Sequence, residues 1–232
     1  MAFCNKIRIY LLAGVATSPT IFTVCIDKLE KLFKDDGLEP VIDTIFPYGD
    51  ASRRLYRQVL EVGSDIPRRV KLARVGGREA LRSIKPACNG EPLLLIGHSG
   101  GGAAAYQAAR MLYEQAGVDN FRVVQIGSPR IPIDPRLKDK VSYFHAVDEK
   151  GKPVDPITRI GSWGGFTASR KLAVPMWNRM KYAPGHIEGI RTIGGHADYF
   201  RHMAPYIDQQ SICNLDKTIG RVHNWFKQAA YA

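Results

Sequence analysis

Residues 93–105 read Leu93-Leu94-Leu95-Ile96-Gly97-His98-Ser99-Gly100-Gly101-Gly102-Ala103-Ala104-Ala105. Four apolar residues sit between Pro92 and Gly97, which suits a short strand buried in a parallel sheet. The tiny residues after Ser99 lead into a helical pattern over 103–115, with Gly117 as its stop. A serine therefore stands at a sharp turn from strand to helix.

Outward from this turn, strand and helix alternate. Strands are predicted over 6–13, 41–46, 121–126, 141–147 and 186–193. Helices are predicted over 19–34, 51–62, 67–85 and 215–229. The first of these has Ser18 as cap, Pro19 in its first turn and Gly37 past its end. Lys6 and Arg8 before Ile9 imitate the start of a secretory signal, but the alternation Lys6-Ile7-Arg8-Ile9 reads as a strand. The whole pattern predicts an α/β fold: a doubly wound, mostly parallel sheet with helices on both faces. No repeat or linker interrupts it, so residues 1–232 read as one domain. Residues 161–183 break the rhythm with Trp163, Phe166, Leu172, Met176, Trp177, Met180 and Tyr182 among glycines, prolines and basic residues. They read as an insertion, a cap or lid over the site.

Composition narrows the classes. Hydrophobic residues make up 45% and charged residues 24% of 232, which fits a folded globular chain rather than a disordered one. No apolar run approaches the ~20 residues that span a bilayer. Cys4, Cys25, Cys88 and Cys213 are scattered, which argues against a zinc site or a disulfide framework and favours a reducing, cytoplasmic setting. The net charge of +11 favours acidic partners.

A serine hydroxyl is a weak nucleophile unless a turn presents it and a base takes its proton. Gly97 and Gly101 stand two residues before and after Ser99, where small residues let strand and helix approach. This is the pattern of a nucleophile elbow in an α/β-hydrolase fold, and it makes Ser99 the candidate nucleophile. His98 is its neighbour in sequence, but neighbours on a turn seldom face each other, so His98 reads as a packing or supporting residue. In this fold class the order is Ser, then an acid, then His. Among His145, His186, His196, His202 and His223, the loop Gly194-Gly195-His196-Ala197-Asp198-Tyr199-Phe200 makes His196 the preferred base. His145 and His186 fall in strand patterns, and His202 and His223 in helical ones. Two acids follow the strand at 141–147. Asp148 and Asp155 both satisfy the order.

Four pieces together resemble the class 3 lipase group and its bacterial α/β-hydrolase relatives. They are Leu95-Ile96-Gly97-His98-Ser99-Gly100-Gly101, Gln125-Ile126-Gly127-Ser128-Pro129-Arg130, Asp155-Pro156-Ile157 and His196-Ala197-Asp198-Tyr199-Phe200. The resemblance spans about residues 93–200. It implies Asp155 as the acid in preference to Asp148. It also implies an oxyanion hole made by the amide of Gly100 and an amide after the first strand, Val15 before Ala16. Gly100 stands where the family often has a larger apolar residue, and Ala13-Gly14-Val15 departs from the family's His-Gly start.

The expected activity is hydrolysis of carboxylic esters, with lipid or acyl esters first, through an acyl-enzyme on Ser99. No metal or cofactor is implied. A thioesterase would use the same residues. A non-catalytic hydrolase-fold protein that binds lipids or anions is the rival from another class. Arg68, Lys71, Arg74, Arg78, Arg82 and Lys85 recur at three- and four-residue steps on one helix face. An anionic membrane surface is one partner for that face; a solvated face is the plainer reading. No motif supports nucleic-acid binding.

Overall fold

The computed structural model describes residues 5–15, 17–18, 20–49, 75–84, 90–168 and 175–230. Six parallel strands form the main sheet in the order β2-β1-β3-β4-β5-β8. They are β1 (Lys6–Leu12), β2 (Glu39–Ile45), β3 (Leu93–His98), β4 (Phe121–Ile126), β5 (Val141–Val147) and β8 (His186–Arg191). β6 (Gly165–Ala168) and β7 (Pro175–Asn178) pair separately as an antiparallel ribbon. The described helices are α1 (Thr23–Asp35), α2 (Val75–Ile84), α3 (Gly100–Ala116) and α4 (Asn214–Ala230).

Alternation of side chains explains the two layers. Ile7, Ile9 and Leu11 of β1, Leu94 and Ile96 of β3, and Val124 and Ile126 of β4 pack with Phe33 of α1 and Val222 of α4. Tyr10 and Leu12, Leu93 and Leu95, and Phe121 and Val123 point the other way and pack with α2 and α3. A strand covered on both faces reads as a near-continuous apolar run, and β3 is buried along its whole length. The predicted doubly wound sheet is the observed one.

The differences are local. α1 starts at Thr23 rather than at 19; Phe22 is its cap and makes no side-chain capping bond. Ser18 instead closes a turn, its Oγ accepting from the Thr20 amide and its carbonyl from the Ile21 amide. Gly37 does lie past the helix end, at φ +79°. No helix directly follows His196: His202 sits in irregular chain that runs to Cys213, and α4 begins at Asn214. The Asn214 side chain ties that chain instead: its Oδ1 accepts from the Ile193 amide, and its Nδ2 donates to the Ile193 and Asp198 carbonyls. The predicted helix over 51–62 lies outside the described residues. So does most of the basic helix face, of which α2 carries exposed Arg78 and Arg82, the latter paired with Glu79 at 3.1 Å.

Candidate active site

Ser99 joins β3 to α3 with φ +56° and ψ −130°, a strained conformation for a residue with a side chain. The chains meet so closely here that glycine is required. A Cβ on Gly97 would lie 2.3 Å from the Gly101 carbonyl oxygen, and one on Gly101 would lie 2.1 Å from that of Leu12. Gly101→Ala should therefore lower stability by about 3 kcal/mol or more, read as a fall in the denaturant midpoint. An unchanged midpoint would contradict this packing.

The loop after β1 backs onto the serine. A Cβ on Gly14 would meet the Ser99 Cβ at 2.6 Å. Gly14 thus brings the Val15 backbone beside Ser99, and Thr17 ties the loop by donating to the Gly14 carbonyl at 3.1 Å. Val15 lines the cavity at Ser99, and Ala16 lies outside the described residues.

Ser99, His196 and Asp155 form one hydrogen-bond chain. The Ser99 hydroxyl donates to His196 Nε2 over 2.9 Å, and His196 Nδ1–H donates to Asp155 Oδ2 over 2.8 Å. Asp155 is fully buried at the head of a 3₁₀ turn, Pro156–Arg159, where its Oδ1 accepts from the Ile157 amide at 2.9 Å. The Tyr199 hydroxyl donates to Asp155 Oδ2 at 2.9 Å. Burial raises the Asp155 carboxyl, but the bonds and charge of His196, with those from Tyr199 and Ile157, outweigh it and hold the group below the ordinary carboxylate value. Asp148 does something else. Its Oδ1 accepts from the Lys150 and Lys152 amides and shapes an exposed turn.

One supporting residue escaped the sequence reading. Tyr199 was visible only as part of the quoted His196 run. Its hydroxyl accepts from the Ala146 amide at 2.8 Å while donating to Asp155, so it joins β5 to the acid. Gly127, at φ +56°, leaves room for both partners: a Cβ there would lie 2.7 Å from the Tyr199 ring and 2.8 Å from Asp155. That accounts for the glycine of Gly127-Ser128-Pro129-Arg130.

His98 is the supporting residue that the sequence reading expected. Its Nε2–H donates to the His196 carbonyl at 3.0 Å, and the two imidazoles stack at 5.0 Å. Burial, with the charge of His196, pushes the His98 pKa down from 6.5 to about 4. The unfolded chain therefore takes up a proton that the folded chain refuses between those values. Stability is full above about pH 6.5 and falls as pH drops towards 4. The loss from this group is on the order of 3 kcal/mol. His98→Asn keeps a donor and should flatten that part of the acid limb in urea denaturation. His145 and His186 are also lowered by burial, so the slope is read against the parent protein. An identical slope in the variant would count against the assignment.

A cavity of about 570 Å³ opens at Ser99. Its described lining comes from the β1–α1 connection, α1, the elbow and the His196 loop, with Val15, Ile21, Val24 and Phe200 as apolar members and Arg201 and His202 as basic ones. None of the described residues of 161–183 lines it. Among the described residues no group of His, Cys, Asp and Glu has metal-binding geometry. No described helix is long and apolar enough to cross a membrane.

No protein-family model matches the chain, and no curated protein matches it by sequence. Solved structures do match. The RedJ thioesterase of the prodiginine biosynthetic pathway in Streptomyces coelicolor aligns over 97% of this chain and 87% of its own, with TM-score 0.50 and 12% identity. The fold is that of the α/β hydrolases. Weaker likenesses include Atu2452 of Agrobacterium tumefaciens, a protein of unknown function, at TM-score 0.48 and 16% identity over 97% of this chain and 92% of that one. A cutinase-like protein from Cryptococcus sp. aligns at TM-score 0.45 and 13% identity, over 98% and 96% of the two chains.

Proposed function

We propose that this protein is a serine hydrolase of carboxylic esters, with acyl or lipid esters as its substrate class. The observation that carries the reading is the continuous hydrogen-bond chain from a strained elbow serine through His196 to a buried carboxylate.

The chemistry follows from that chain. His196 Nε2 takes the Ser99 proton as Oγ attacks the ester carbonyl. Asp155, acceptor of the Nδ1 proton, fixes the tautomer that leaves Nε2 free and stabilises the imidazolium that forms. The amides of Gly100 and Val15 are the proposed donors to the oxyanion. His196 returns its proton to the leaving alkoxide, and the acyl group stays on Ser99. Water, deprotonated by His196, then releases the acid. The cavity volume lies in the ordinary range for small-molecule sites, and its apolar wall of Val15, Ile21, Val24 and Phe200 suits an acyl chain. The free thiols Cys25 and Cys213 are in keeping with a reducing, cytoplasmic setting.

The test is covalent labelling with a fluorophosphonate, followed by peptide mass mapping. One adduct on Ser99 is expected. Labelling elsewhere, or none, would sink the reading. A panel of p-nitrophenyl esters, acyl thioesters and phospholipids then sets the acyl-length preference and the leaving group.

A further inference from the structure

The ribbon of β6 and β7 and the turn after it expose large apolar side chains that the cavity does not use. Phe166 is 63% exposed, Met176 56%, Trp177 52% and Met180 51%. Phe166 and Trp177 are direct cross-strand partners, so they share one face, and their rings meet edge to face at 5.0 Å. The ribbon is a built element. Gly164 leaves the space that the Trp177 indole fills, with the ring 2.2 Å from where a Cβ would stand. The Tyr182 amide donates to the Trp163 carbonyl at 2.8 Å, Trp163 is buried against Tyr143, and the Ile133 amide donates to the Tyr182 carbonyl at 2.8 Å. Lys181 donates to the Phe166 carbonyl. These bonds tie the base of the ribbon to the core and leave its aromatic face outside.

The segment that carries that face has charge of one sign in its sequence. From Pro156 to Ile187 the chain contains no Asp or Glu, while Arg159, Arg170, Lys171, Arg179 and Lys181 are basic. Of the described ones, Arg159 and Arg179 are exposed and Lys181 is half-buried. An exposed apolar face needs a partner to lower its free energy in water. A second copy of this ribbon would bring cation against cation. An anionic bilayer offers both missing terms: a negative surface for the arginines and lysines, and an interface where Trp, Phe and Met side chains bury.

We infer that the β6–β7 ribbon docks this protein on anionic lipid surfaces through Phe166, Trp177 and the flanking Arg179 and Lys181. This site differs from the basic face of 67–85, and it holds whether or not Ser99 is a nucleophile.

Vesicles of phosphatidylcholine, with and without an equal part of phosphatidylglycerol, test it. The full-length protein should pellet with the anionic vesicles and stay free of the neutral ones. Trp163 and Trp225 are buried, so a blue shift of emission on binding reports Trp177, and Trp177→Phe should lose that shift while still binding. The double variant Phe166→Ser with Trp177→Ser should weaken anionic partitioning at least about tenfold. Arg179→Glu should weaken it by about fivefold or more. Thermal melts alongside check that each variant is folded. Three results would overturn the inference: no binding to either vesicle, binding unchanged in the folded double variant, or a concentration-dependent dimer that the double variant abolishes. The last would assign the face to a second copy.

Discussion

Ser99→Ala should lower kcat on any ester that the protein cleaves by at least ~10⁴-fold and abolish fluorophosphonate labelling. That factor corresponds to about 5.5 kcal/mol of lost transition-state stabilisation. The size follows from the geometry. Ser99 Oγ is the atom in hydrogen-bond contact with His196 Nε2, and alanine removes it without touching the backbone. KM should change little, because the cavity wall stays in place. The thermal midpoint should stay level or rise, since the buried hydroxyl is lost but its strained backbone turn remains. Steady-state kinetics on purified variant and parent, freed of carry-over by separate columns, would settle it. A residual rate within tenfold of the parent would show that the nucleophile is elsewhere.

The second large effect separates the two acids. Asp155→Asn should reduce kcat by about 10³- to 10⁴-fold. An amide at this position can donate to His196 Nδ1, which would place the imidazole proton on Nε2, facing Ser99. The base is then blocked although every atom is nearly in place. Asparagine also keeps one oxygen for the Ile157 amide or the Tyr199 hydroxyl, where the carboxylate serves both. Asp148→Asn should leave kcat within about twofold. Its Oδ1 accepts two backbone amides, and an amide oxygen can do the same. Equal losses from the two substitutions, in variants with parent-like melting, would remove Asp155 from its proposed role. Acid titration adds a further check on sign. The Asp155 carboxyl lies below its ordinary value near 3.8, so its stabilisation is full above that value and is lost as pH falls further. This lies below the window in which His98 acts, so the two contributions can be read separately.

Much of the fold was legible from local pattern. The strands over 121–126 and 141–147 were bounded as observed, because apolar runs in a sheet covered on both faces are bounded by polar turns. Gly117 marked the end of α3 as it stops a helix, in the left-handed region. The start of α1 was misplaced because Ser18 and Pro19 carry the usual signals of a helix start. Here a turn intervenes, and burial of Phe22 against Phe200 sets the entry of the helix. His202 was assigned to a helix on periodicity, but the segment from His196 to Cys213 is held by Asp198, Asp208 and Asn214 side chains rather than by a helical ladder.

By itself the sequence determined the layered sheet, the elbow at Ser99 and the short set of polar residues from which a site could be built. Those follow from neighbours in the chain: apolar runs, glycines where backbones touch, and the order Ser, acid, His. Tertiary structure alone decided which of them meet. Asp155 and His196 are 41 residues apart and Ser99 and His196 are 97 apart, distances at which no local pattern fixes contact. Of the two candidate acids only Asp155 meets His196, shielded from water and accepting from three donors, while Asp148 shapes an exposed turn. The same packing gave His98, already read as a packing or supporting residue, the His196 carbonyl as its partner, and left Phe166 and Trp177 facing water.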